Sequence, residues 1–225
     1  MNENITIGIE GLVGSGKTSL CRELVKMIPN SIILHGGNFY RGIVYALLKS
    51  NIDFKNSKQE LDIKNIMDLL KVEVRLEDNE TKVYVDGVEI NEENLQSDSN
   101  SMAVSKIAKN ANNSKFYIFA NKLIEGYKSK YNVIISGRDL MKIYPNLDYH
   151  FFITASLEER INRKMKQYDK EEITKEELKK HIETRDKLQD ESGFYKRYEK
   201  TIDIDITNCK NAKESANKVF KNIKL

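Results

Sequence analysis

Residues 9–20 read IEGLVGSGKTSL, and the reading of this stretch decides the fold. Gly11-Leu12-Val13-Gly14-Ser15-Gly16-Lys17-Thr18 satisfies G-x-x-x-x-G-K-[ST]. An apolar run, Ile5 to Glu10, precedes it, and Leu20, Cys21, Leu24, Met27 and Ile28 follow at helical spacing, so the stretch reads strand, loop, helix. Bare glycine backbone lets successive N–H groups turn inward around an anion, and the opening of the helix, through Ser19, adds its dipole. Lys17 reaches outer phosphates as a point charge, and Thr18 offers a hydroxyl to Mg²⁺. The ligand expected is a nucleoside triphosphate.

Outward from the loop, strands and helices alternate. Residues 31–34 (SIIL) read as a second strand, Gly36-Gly37 as the turn into a helix through Tyr40 and Leu48, 132–136 (NVIIS) as a third strand, 149–154 as a fourth and 202–206 as a fifth. The stripe Ala212, Ala216, Val219, Phe220, Ile223 closes the chain as a helix. In the middle, Val72, Val74 and Leu76 alternate with polar residues, turn at EDNET, and continue as Val83 and Val85, which is a β-hairpin. Helical stretches are expected at 101–110 and 115–130. Residues 164–183 carry many charges and few apolar side chains, the pattern of a solvated helical arm or flap. The expected fold is α/β: a doubly wound, mainly parallel five-stranded sheet with a hairpin-bearing insert and a charged helical lid. One domain spans 1–225, with a core of about 1–56, 131–164 and 188–225, an acceptor-binding insert of about 57–130 and a lid of about 165–187.

Bulk properties narrow the function. The 225 residues include 37 basic and 34 acidic side chains, a scattered near-balance that argues against a nucleic-acid or membrane partner held by net field. The start of the chain, Met1-Asn-Glu-Asn-Ile, carries no secretory pattern, and no apolar run approaches the ~20 residues of a spanning helix. Cys21 and Cys209 have neither metal-ligand spacing nor the look of a disulfide framework. A cytoplasmic protein is expected, with a monomer favoured.

A phosphotransferase holds two anionic substrates face to face, which needs more cations than the loop supplies. Arg41, Arg138, Arg160, Arg163 and Arg185 each follow an expected strand or lie on the charged arm. At this level the order of segments resembles the cytidylate kinase family: IGIEGLVGSGKTS, GGNFYRG, the hairpin, VSKIA, SGRDL, Pro145, Asp148, FFITASLEER, ETRD and IDIT, spanning nearly the whole chain. The resemblance implies a nucleoside monophosphate kinase that passes the γ-phosphoryl of ATP, with Mg²⁺, to CMP or dCMP. It implies that Arg41 and Arg138 bind the acceptor phosphate, that Asp139 faces the cytosine amino edge with Ser105 nearby, that Arg160 and Arg163 lie along the donor, and that Arg185 swings in with the lid to neutralise the moving phosphoryl group.

The chain departs from the family pattern chiefly where the base is read. His35 and Gly36 replace an aspartate and a hydroxyl residue, Ser114 replaces an arginine, Ser136 replaces the aspartate before GRD, and Gln189 stands where the family has a ribose-binding aspartate, with Asp190 one position late. The phosphate-handling half is better kept. Two rivals follow: a kinase for another nucleotide, nucleoside or small molecule, and a nucleotide-dependent switch. Against the switch, Asn121-Lys122-Leu123-Ile124 lacks the aspartate of N-K-x-D. Glu10 is either a contact to a metal-bound water or acceptor hydroxyl, or an outward carboxylate at a strand end. His35 is either an acceptor contact or a loop histidine satisfied by its neighbours, and Tyr40 and Tyr45 either stack on a base or pack. Cys21 fits the apolar stripe of a core.

Overall fold

The computed structural model describes residues 3–49, 63–96, 100, 104, 114–166 and 173–225. Within these the strands are β1 (Thr6–Gly11), β2 (Ser31–His35), β3 (Val72–Glu77), β4 (Glu80–Val85), β5 (Val88–Glu89), β6 (Asn132–Ser136), β7 (Tyr149–Thr154) and β8 (Thr201–Asp205). The helices are α1 (Lys17–Leu24), α2 (Gly36–Lys49), α3 (Ile63–Leu70), α4 (Glu92–Gln96), α5 (Ser114–Lys128), α6 (Leu140–Ile143), α7 (Leu157–Met165), α8 (Lys175–Glu191) and α9 (Ala212–Phe220). The expected helix at 101–110 falls almost wholly outside the described residues. No described helix is long and apolar enough to cross a membrane.

The five expected strands are present and mutually parallel, in the order β2-β6-β1-β7-β8. β1 and β2 are buried along their whole length, as strands covered on both faces must be, and this is why they read as apolar runs without alternation. Alternate residues feed the two sides. Ile7, Ile9, Ile33, Ile134, Phe151 and Ile153 pack with Leu20 and Leu24 of α1 and Ala216 and Val219 of α9. Ile32, Leu34, Val133 and Ile135 pack with Ile124 of α5 and Leu140 of α6. Cys21 and Cys209 are free thiols within the first of these clusters. Burial pushes the Cys21 thiol up to about 12.

The sheet is wider than five strands. The hairpin does not stand apart: β4 lies parallel beside β2 through the pair Ile33 and Glu80, with β3 and β5 beyond it. Ile33 N–H donates to Asn79 O at 2.7 Å, and His35 N–H donates to the Thr81 hydroxyl at 2.9 Å. The inner face of the hairpin supplies Val72 and Val83 to a cluster with Phe39, Ile43 and Leu47 of α2 and Phe116 and Ala120 of α5. Covering the β2 edge in this way satisfies backbone groups and gives α2 a floor.

The charged arm is also more firmly placed than its composition suggests. Thr174 and Glu177 form a reciprocal capping box that starts α8. Leu178 and Ile182, one turn apart and each 2% exposed, dock on Val13 and Ile161. These two apolar side chains on one face seat the helix against Val13 of the glycine-rich loop and Ile161 of α7.

Candidate active site

The loop begins where β1 ends. Gly11 has φ 146°, and a Cβ there would lie 2.2 Å from Ile153 O, so the close approach of β7 excludes any side chain. Gly16 caps α1 in a left-handed conformation, φ 89° and ψ 21°. The first intrahelical donor of α1 is Leu20 N–H, to Gly16 O at 3.0 Å, which leaves the amides of Lys17, Thr18 and Ser19 at an unsatisfied helix start. Lys17 Nζ donates to Gly11 O (3.0 Å), Leu12 O (2.8 Å) and Ser15 Oγ (3.4 Å). The Thr18 hydroxyl is a hard oxygen donor beside those amides, and this donor set fits Mg²⁺ held against a phosphate.

Four cations converge on this loop. Lys17 is held well below the usual lysine range, first by burial and then by the charges of Arg138 and Arg185. Arg41 is depressed to about 10 by burial, then by Arg185 and Arg138. Arg138 is lowered, burial again leading. Among the described residues none of the four ion-pairs with a carboxylate. Arg138 Nε donates to the neutral Gln189 Oε1 at 2.7 Å and its Nη1 to Gly137 O at 3.1 Å, while Arg41 Nε is buried without a partner. Glu10, Asp186 and Glu92 offset part of this charge from a distance, and like charges gathered without a direct ion pair form a site for anions.

Arg160 and Arg163 are placed differently. Arg160, 6% exposed, donates to Ala155 O at 3.1 Å, to Val13 O at 3.0 Å and to the Asp186 carboxylate. Arg163 donates to Ser15 O (3.1 Å), Ile206 O (2.8 Å) and Glu159 (2.9 Å). Both sit on α7 behind the loop and brace its carbonyls. Arg160 and Arg163, expected along the donor, thus meet the loop through backbone carbonyls and neighbouring carboxylates.

Asp186 was not singled out from the sequence. Its carboxylate accepts the Val13 N–H at 3.0 Å, the Arg160 guanidinium and the Tyr195 hydroxyl, so it ties α8 to the loop. A cavity of about 380 Å³ opens beside it, lined by Asp186, Lys187, Asp190, Tyr195 and Arg197. Asp190 faces this cavity, and Gln189 is the residue that meets Arg138.

Asp139 caps α6 in a left-handed conformation, φ 57° and ψ 29°, and is buried. Its Oδ2 accepts from the Tyr117 hydroxyl at 2.5 Å and from Lys142 Nζ at 3.1 Å. Glu10 fulfils neither expectation. It is 2% exposed; Oε1 accepts the Leu140 N–H at 2.7 Å, and Oε2 lies 3.0 Å from Nε2 of the fully buried His150, whose Nδ1 meets the Thr201 hydroxyl at 2.9 Å. Glu10 thus anchors the turn that carries Arg138 and Asp139. His35 is satisfied by Glu80 at 3.0 Å, and Tyr40 packs edge-on against Phe116 with centroids 4.9 Å apart. Ser105 lies outside the described residues, as do the side-chain surroundings of Ser114.

The fold and the clustered site define a P-loop nucleotide-binding protein of the phosphotransferase class, with a cationic cluster opposite the loop. Within that class the chain belongs to the cytidylate kinase family, whose sequence model, described as Cytidylate kinase, matches residues 7–225. The cytidylate kinase of Clostridioides difficile is 31% identical over 194 residues, covering 85% of this chain and 84% of that protein. That of Fusobacterium nucleatum is 30% identical over 216 residues, covering 92% and 91%. That of Bacillus subtilis is 27% identical over 225 residues, covering 98% and 96%.

Proposed function

We propose that the protein transfers the γ-phosphoryl group of ATP to CMP or dCMP. The observation that carries this reading is the group of Lys17, Arg41, Arg138 and Arg185, mutually repelling and, among the described residues, in no ion pair with a carboxylate, beside the unsatisfied amides at the start of α1. A triphosphate alone would need the loop and Lys17. The additional guanidinium groups on α2, after β6 and on α8 match a second phosphate.

In this reading the amides from Gly14 to Ser19, with Lys17, hold the donor phosphates. Arg41 and Arg138 orient the acceptor phosphate for in-line approach, and Arg185 neutralises charge on the group in transit. An acceptor phosphate is already nucleophilic, so no general base is required, consistent with both oxygens of Glu10 being taken. Mg²⁺, held through Thr18, would supply charge neutralisation across the phosphates when bound. The docked α8 would exclude water, and Asp139 would accept from the base. The near-balanced charge, 37 basic to 34 acidic, favours free nucleotides over nucleic acid and suits a cytoplasmic enzyme of pyrimidine nucleotide metabolism. The test is ADP release over CMP, dCMP, UMP, AMP, GMP, TMP and nucleosides. The expected result is the highest kcat/KM with CMP or dCMP; turnover of a nucleoside with every monophosphate inert would overturn the reading.

A further inference from the structure

Helix α5 starts at Ser114, and one turn later it delivers Tyr117 to a carboxylate 22 positions along the chain. The phenol donates to Asp139 Oδ2 at 2.5 Å, and Lys142 Nζ donates to the same oxygen at 3.1 Å. Among the described residues, Oδ1 of Asp139 accepts no hydrogen bond. The carboxylate has little freedom to turn, because Asp139 is buried and its own turn is pinned by the Leu140 N–H on Glu10. The phenol is equally constrained: its ring packs against Phe116, which lies between Phe39 and Tyr40. The Asp139 end of this pair belongs to the turn that carries Arg138, so it sits beside the cationic cluster.

We propose that Tyr117 is a specificity-determining residue: by saturating one oxygen of Asp139 it fixes the other as an acceptor-only contact, selecting a nucleobase with an exocyclic amino group against its oxo counterpart. The proposal rests on the reading that Asp139 faces the acceptor base. Burial and the Asp139 hydrogen bond push the Tyr117 phenol up, so it keeps its proton and stays a donor to the carboxylate. An amino N–H opposite Oδ1 completes a hydrogen bond. A carbonyl oxygen there sets lone pair against lone pair and leaves both groups unpaired, the condition under which a polar site discriminates strongly. Without the phenol, Oδ2 keeps only the half-exposed Lys142, and the carboxylate is free to rotate away from the base.

The experiment compares kcat/KM for CMP and UMP in the wild type, Tyr117→Phe and Asp139→Asn, with the KM for ATP followed alongside. The CMP:UMP ratio is expected to fall about tenfold in Tyr117→Phe and further in Asp139→Asn, with the KM for ATP unchanged. A purely structural role for Tyr117 would lower both acceptors together and leave the ratio intact, and that result overturns the proposal while leaving the kinase reading in place. Should Tyr117→Phe not fold, the 4-unsubstituted pyrimidinone ribonucleotide, offered to the wild type, decides. A drop of at least tenfold from CMP supports an acceptor-only contact; equal use removes it. A wild type inert toward every monophosphate overturns both readings.

Discussion

Gly42 follows Arg41 on α2, and a Cβ there would lie 2.3 Å from Val83 Cγ1 and 3.3 Å from Val83 Cβ. Two effects of Gly42→Ala oppose each other. Alanine favours a helix interior over glycine by about 1 kcal/mol. Adding a methyl to a packed contact costs about 1–3 kcal/mol, net of the extra burial. Carbon atoms settle about 3.5–4.0 Å apart, so the separation of 2.3 Å demands a shift of more than about 1 Å. Val83 cannot swing its methyl aside, because it is β-branched and buried at 3% exposure in the centre of the hairpin cluster. The cost therefore falls in the upper half of its range, and a net loss of about 1–2 kcal/mol is expected. For a chain of this size that is a Tm lower by about 3–6 °C. Val83→Ala removes the obstructing methyls, so the double variant should lose at least about 1 kcal/mol less than the sum of the singles. Because α2 must move to absorb the methyl, Arg41 moves with it, and the KM for CMP should rise more than that for ATP. Urea unfolding of the four proteins and initial rates with each substrate check this. A Gly42→Ala variant as stable as wild type, or more so, would show that helix propensity prevails and that the hairpin is not the floor of α2.

Arg138→Ala should raise the KM for CMP by about 10–100-fold while changing that for ATP less than about threefold, since a charge-assisted contact is lost on one side only; equal effects on both substrates in initial-rate kinetics would contradict its place in the acceptor half. Glu80 is held at about 2, below its ordinary value of 4.5, by the hydrogen bond to His35 and then by Arg22. Its folded pKa is depressed, so its stabilisation is complete above about 4.5 and is lost as pH falls toward 2. Acid unfolding between these limits should be less steep in Glu80→Gln than in wild type, and superimposable pH profiles would count against the assignment. Asp186→Asn should loosen α8 by about 2 kcal/mol, seen as amide exchange about 30-fold faster at Val13 and along 178–182, because a carboxylate accepting three donors is replaced by an amide that cannot. Unchanged exchange would mean that the apolar contacts of Leu178 and Ile182 alone hold α8.

The five parallel strands and the loop were legible because their signals are local and contiguous. Apolar runs of five or six residues, glycines at fixed spacing and an amphipathic stripe each speak for themselves. The widening of the sheet was not, because β4 joins β2 through a single paired position between residues 47 apart in sequence, and alternation in a hairpin says nothing about what lies beside it. At the site, residue type was legible and direction was not. One step along a helix turns a side chain by about 100°, which is why Gln189 meets Arg138 while Asp190, next in line, faces the outer cavity. Glu10 reads as a strand-end carboxylate in sequence; that it points inward to His150 depends on β7 and on the turn after β6 closing over it. Asp186 was hidden by composition: in a run so rich in charge, nothing local marks the one carboxylate that reaches the loop.

The five arginines gathered from the sequence divide by what satisfies them, and the division has a physical basis. Arg160 and Arg163 spend their donors on Val13 O, Ser15 O, Ala155 O and Ile206 O and on nearby carboxylates. Such residues must be content before any ligand arrives, since their task is to hold the loop in shape. Arg41, Arg138 and Arg185 have one another and Lys17 as electrostatic neighbours, and Glu92, Glu10 and Asp186 offset that repulsion only from a distance, without an ion pair among the described residues. A guanidinium anchored on backbone carbonyls and carboxylates must break those bonds to meet a phosphate, whereas one whose nearest charges are cations gains more from an anion that enters. Arg185 alone of these stands on α8, and its charge lowers both Lys17 and Arg41. The position of α8 therefore adds a positive charge to a cationic site, and Asp186, the next residue, offsets it with a carboxylate bonded to Val13 and Arg160. Adjacent residues of opposite sign thus divide the work: Asp186 secures α8 to the loop, and that attachment sets the Arg185 charge near Lys17 and Arg41.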